Sequence, residues 1–128
     1  MNNIELIQQL YIAFANKDYE TFRQICDPDL IWIQNKGFPN GSTNYGVDAV
    51  IDNVFKAFDL DWQSWSFKIE ECLDAGTSVV VIGFYQGVHR FNEQSFCSSA
   101  VHIYDVADGK ITRFRQFADT KVIWDVIP

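Results

Sequence analysis

Before residue 60 the apolar positions of the chain recur three and four residues apart, and after it they recur every second residue. That change of period predicts helices followed by strands, because a helical turn closes in about 3.6 residues while a strand alternates its faces. Ile7, Leu10, Tyr11 and Phe14 form the first stripe, with Asn2 or Asn3 placed to cap the helix and Glu5 in its first turn. Asn16-Lys17-Asp18 interrupts the pattern, and Asp18 caps a short second helix with Tyr19, Phe22 and Cys26 on one face. Asp27-Pro28-Asp29 ends it, since the residue before a proline is pushed out of the helical region. The third stripe, Val47, Val50, Ile51, Val54, Phe55 and Phe58, is the most regular of the three.

The strand patterns are of two kinds. Leu30–Gln34 alternates, with Leu30, Trp32 and Gln34 on one face, and Ser64–Leu73 alternates around Trp65, Phe67 and Ile69. Ser78–His89 is apolar on both faces, which predicts a central strand, and Gly83 and Gly87 within it predict bends or bulges. Asn35–Gly46, with three glycines and a proline, reads as a long loop of the kind that rims a pocket. Lys121–Pro128 carries Val122, Ile123, Trp124 and Ile127, and folds back on the domain or onto a partner. Helices first and an antiparallel meander afterwards define an α+β fold: one domain over residues 1–128, with three helices on one face of a curved sheet.

Ser95–Thr120 is the longest hairpin signal, turning at Asp108-Gly109. A two-residue type I′ turn pairs Ala107 with Lys110 and sets His102 opposite Arg115. A type I turn with Gly109 as a bulge pairs Val106 with Lys110, and sets His102 opposite Phe114 and Ala100 opposite Gln116. The bulged form is favoured, because Asp followed by a left-handed Gly suits it.

Composition narrows the function. Net charge is −7, with a sequence pI near 4.6 and no run of Lys or Arg, so a phosphate backbone would be repelled and nucleic acid is not an expected partner. Cys26, Cys72 and Cys97 match no metal-ligand spacing; no metal or other cofactor is expected, and free thiols point to a reducing cytoplasm. No apolar run reaches membrane-spanning length. Eleven Phe, five Tyr and four Trp can fill an aromatic core or line a cavity.

No nucleophile, phosphate-loop or dinucleotide signature occurs, which leaves single polar residues on apolar strands. His102, in Ala-Val-His-Ile-Tyr, has the chemistry of a general acid or base. Asp119 can be a base, or can cap a final helical turn, since Asp-Thr before an apolar run is a common helix start. Gln116 can orient a ligand carbonyl or bond to backbone in the core. Trp32, Gln34 and Phe114 are candidate pocket walls, while Tyr11 and Tyr45 could each offer a phenol to an oxyanion.

Trp32, Gly37-Phe38-Pro39-Asn40-Gly41, Tyr45-x-Val47, His102-x-Tyr104 and Asp108-Gly109-Lys110-Ile111 through Arg115-Gln116-Phe117-x-Asp119-Thr120 together resemble the SnoaL-like, ketosteroid-isomerase-related proteins of the nuclear-transport-factor-like superfamily. The resemblance covers nearly the whole chain. It implies an α+β cone or half-barrel, in which three helices close a strongly curved, mostly antiparallel sheet around an apolar pocket, and it implies a homodimer. It further implies a small apolar, carbonyl-containing ligand, handled by an isomerase- or cyclase-type proton transfer or by hydrolysis, or else a non-catalytic module of the same fold that binds a small ligand or dimerises. The isomerase Asp base falls at Gln34, and a glutamine cannot take a proton from carbon. The cyclases' proton-handling Asp and His answer to Asp119 and His102.

Overall fold

In the computed structural model, which describes Met1–Pro128, a single sheet organises everything else. Its strands are β1 (Cys26–Ile33), β2 (Thr43–Tyr45), β3 (Trp62–Asp74), β4 (Ser78–His89), β5 (Ser95–Ala107) and β6 (Lys110–Ala118), in the order β2-β1-β6-β5-β4-β3. Only the β1–β6 contact is parallel, and the sheet stays open, with β2 and β3 at its edges. The long edge strand β3 exposes Lys68, Glu70 and Glu71 and carries two register shifts, devices that discourage pairing with another chain.

The helices are α1 (Asn3–Ala15), α2 (Tyr19–Ile25), α3 (Val47–Val50), α4 (Lys56–Asp61) and the terminal α5 (Thr120–Trp124). The first two start where the sequence predicts. Asn2 Oδ1 accepts the Glu5 amide at 2.8 Å, and Asp18 Oδ1 accepts the Thr21 amide at 3.1 Å. The third stripe is less regular than its spacing suggests: a π turn, Ile51–Phe55, joins α3 to α4. This wider turn keeps Ile51, Val54 and Phe55 all buried.

The main core lies between α1, α2, the third helical stretch and the inner face of the sheet, with Ile7, Leu30, Val79, Val81, Ile111 and Phe114 almost wholly removed from water. Each such side chain contributes about 1.5–3 kcal/mol of burial. A second cluster around Trp62, Tyr85, Phe96 and Ile123 closes the far end, where α5 folds back and Trp124 Nε1 donates to the Gly37 carbonyl at 2.8 Å. The tail is thus held by its own domain.

Three local expectations need correction. The Asn35–Gly46 segment is not wholly loop, since β2 forms within it and pairs with β1, Trp32 facing Asn44. The hairpin adopts neither predicted register. Asp108 and Gly109 both have positive φ and Ala107 pairs with Lys110, as in a two-residue turn. A further shift between Asp105 and Val106 then slides the rest by one, so His102 faces Gln116. Finally, Gly83 and Gly87 sit in unbroken β4–β5 pairing, and the bulges lie on β3 instead. Gly83 permits close approach: a Cβ there would stand 2.1 Å from the Lys68 carbonyl oxygen.

Candidate active site

Strand parity assembles the site. Even residues of β5 point inward, so Phe96, Ala100, His102 and Tyr104 share a face, while odd residues of β4 bring Tyr85 and His89 to the same side. The shifted register sets Gln116 of β6 beside His102, and α1 lays Tyr11 across them.

His102 is 3% exposed and both its ring nitrogens are engaged. Nδ1 meets the Tyr11 hydroxyl at 2.6 Å and Nε2 meets the Tyr85 hydroxyl at 2.6 Å. Tyr104 donates to the Tyr11 oxygen at 2.9 Å, and Gln116 Nε2 donates to the Tyr85 oxygen at 2.7 Å. Gln116 is anchored in turn, its Oε1 accepting the Asn35 amide at 3.0 Å. The imidazole stacks on Phe67, with ring centroids 4.2 Å apart.

Burial sets the charge of this network. Desolvation drives the His102 pKa down to about 3 and raises those of Tyr11, Tyr85 and Tyr104 above the ordinary phenol range. At neutral pH the imidazole and all three phenols are therefore uncharged. Hydrogen counting then has a definite result. Three phenols and one neutral imidazole hold four exchangeable hydrogens, but only three contacts link them in the row Tyr104–Tyr11–His102–Tyr85. One hydrogen is left over. With Tyr104 donating to Tyr11, that hydrogen sits on Tyr85 if Nδ1 accepts, and on Tyr11 if Nε2 accepts.

Both phenols line a deep apolar compartment of about 40 Å³, walled also by Trp32, Phe55, Phe67 and Phe114. Beside it lies a larger, more polar compartment of about 260 Å³ that includes Phe38, Asn53, Asp61, His89 and Pro128 in its lining. Gln34, Val54, Phe58 and Trp65 border both.

Of the residues singled out in the sequence, Tyr11, Trp32, Gln34, His102 and Phe114 line the deep compartment. Gln116 stands behind Tyr85 and holds it. The structure does not bring Tyr45 or Asp119 to the site. Tyr45 is 71% exposed because its β2 neighbour Asn44 takes the inward position. Asp119 is exposed at the N-cap of α5, where its side chain makes no capping bond. His102 and Asp119 therefore do not converge on one cavity. Sequence reasoning missed Tyr85 and His89. Both are odd-numbered side chains of β4, but the strand also carries Gln86 on its opposite face, so no parity signal marked them in the sequence. No group of three or more His, Cys, Asp or Glu side chains is placed to hold a metal ion, and no helix is long and apolar enough to cross a membrane.

Residues 7–114 match the SnoaL-like domain family, and the chain belongs to that family. Solved structures agree in fold. An NTF2-like protein from Burkholderia thailandensis is 29% identical, with 97% of this chain and 95% of that one covered and a TM-score of 0.91. An NTF2-like protein of unknown function from Burkholderia pseudomallei is 23% identical, over 99% and 98% of the two chains, with a TM-score of 0.89. TerC, co-crystallised with polyporic acid, is 25% identical, over 97% and 96%, with a TM-score of 0.86. Among curated proteins none matches.

Proposed function

We propose that this SnoaL-like protein binds a small apolar molecule bearing a carbonyl oxygen, which accepts the spare hydrogen of Tyr11 or Tyr85. The surplus hydrogen carries this reading. A buried donor without an acceptor costs about 1–3 kcal/mol, and a ligand carbonyl removes that cost. The deep compartment is too small for a whole metabolite and suits the carbonyl end, while the molecule's body occupies the adjoining space. Together the two compartments reach the lower end of the range typical of ligand sites, about 300–1,000 Å³. The co-crystallisation of TerC with polyporic acid gives a precedent for ligand binding in this fold.

The chemistry favoured is polarisation of the carbonyl rather than removal of a proton from carbon. A buried imidazole held near a pKa of 3 is a weak base, and Gln34 supplies no carboxylate. The test compares α-tetralone with tetralin, the same skeleton without the oxygen, by thermal unfolding. Saturation at about 100 times the dissociation constant adds roughly 2.7 kcal/mol, a shift of several degrees for a domain of this size. The ketone should raise the unfolding temperature more than tetralin does, and the Tyr11→Phe/Tyr85→Phe double variant should lose that preference. Equal shifts from ketone and hydrocarbon would sink the reading.

A further inference from the structure

The larger compartment contains polar groups that the carbonyl site does not use. His89 is 4% exposed, wedged against Trp62 with ring centroids 4.9 Å apart. Its Nδ1 accepts the Phe91 amide at 3.2 Å, so in the neutral ring the hydrogen is on Nε2. That Nε2–H has no acceptor in the protein, yet it is not sealed off, because the ring lines the cavity. Gln34 is 6% exposed, and its amide likewise makes no side-chain hydrogen bond although its backbone is paired. The polar atoms of both side chains open onto the cavity and are not sealed in the protein, so a fixed donor and an amide that both donates and accepts face one space and can bond a polar atom there. The other polar groups on this wall set its sign. Asn53 spends its Nδ2 on Asn44 at 3.0 Å, leaving its oxygen as an acceptor, and Asp61 adds a carboxylate at the rim. A carboxylate or phosphate would meet Asp61 unfavourably. A hydroxyl fits best, since it can accept from His89 and donate to the Gln34 oxygen.

We infer that His89 and Gln34 form a second polar subsite, which selects ligands carrying a neutral hydroxyl on the body of the molecule as well as the carbonyl at its deep end. This rests on the carbonyl reading above and narrows it to hydroxyketones. The two compartments share Gln34, so one molecule can span both.

The probes are α-tetralone and its ring-hydroxylated isomers, titrated calorimetrically against wild type, His89→Phe and Gln34→Met. His89→Phe keeps an aromatic ring against Trp62, and Gln34→Met keeps the length of the side chain. Should either variant fail to fold, the other carries the test. At least one hydroxyl isomer should bind wild type about 3- to 10-fold more tightly than the parent ketone, the worth of one net hydrogen bond. The folded variant should lose that advantage, and His89→Phe, whose ring lies outside the carbonyl compartment, should still bind the parent as wild type does. Ketone binding with no hydroxyl preference, or a preference that survives both substitutions, overturns this inference and leaves the carbonyl site standing. If no member of the series binds wild type, the carbonyl reading fails and this one with it.

Discussion

On the inner face of β5 and β6, His102 stands across from Gln116; three residues along, on the outer face, Asp105 stands across from Arg113. The same two strands thus carry a polar network on each side. The inner one is uncharged, buried and short: its contacts run from 2.6 to 2.9 Å among aromatic walls. The outer one is ionic and wet, with Arg113 Nε 2.7 Å from Asp105 Oδ2 and side chains 42% and 26% exposed. Solvent decides what each can do. Out of water, a neutral donor without a partner keeps its full appetite for an acceptor, which makes it a recognition element. In water, a charge pair competes with the solvent and with salt, so it adds little beyond solubility and register.

Breaking the inner network should cost most. His102→Ala removes a ring packed between Phe67 and Phe114 and strips the Tyr11 and Tyr85 hydroxyls of a partner. A loss of about 3–5 kcal/mol in urea-induced unfolding is expected, the range for deleting a large buried ring together with its hydrogen bonds. A loss below about 1 kcal/mol would mean that the network is not dry.

Acid should sharpen the same contrast. His102 is neutral when folded, with its pKa near 3, whereas in the unfolded chain it takes a proton near pH 6.5. Its folded pKa is depressed, so its contribution is fully present above pH 6.5 and is lost as pH falls toward 3, where the unfolded state binds one more proton. The slope is about 1.4 kcal/mol per pH unit, which gives a loss of roughly 2 kcal/mol between pH 7 and pH 5. His102→Asn lacks this titration while keeping the lowered pKa of Asp18, whose stabilisation is lost on acidification in both proteins. Parallel pH profiles for wild type and variant would show that His102 is not desolvated in the native state.

These expectations depend on a register that short-range reading could not reach. The caps at Asn2 and Asp18 were legible because each is settled within three residues of sequence. β4 was legible because its turns bracket a long apolar run. The shift between Asp105 and Val106 was not, since it lies beyond the turn and involves Thr112, whose hydroxyl donates to the Asp105 carbonyl. Tyr85 escaped for a related reason. A strand apolar on both faces gives no parity by which to say which way its tyrosine points. His89 was read as a strand end, and its tautomer depends on an amide two residues further on. Sequence pattern therefore located the walls of the site, but the pairing of its polar groups belongs to the folded sheet.

The outer pair should yield the smallest effect and the most informative exception. Arg113→Met keeps a long apolar stem on β6 and removes only the ion pair, while the Asp105 carboxylate retains Ser78 Oγ at 2.8 Å and Arg115 at 3.5 Å. The expected cost is about 0.2–1 kcal/mol, shrinking as salt is added, because exposed pairs of this kind are worth little. Unfolding at two protein concentrations measures it. A cost above about 2 kcal/mol that grows with concentration would mean that Arg113 is desolvated by something absent from a single chain. A second copy lying on this face of the sheet would do that, and the contrast between a dry inner face and a wet outer one would then hold only for the monomer.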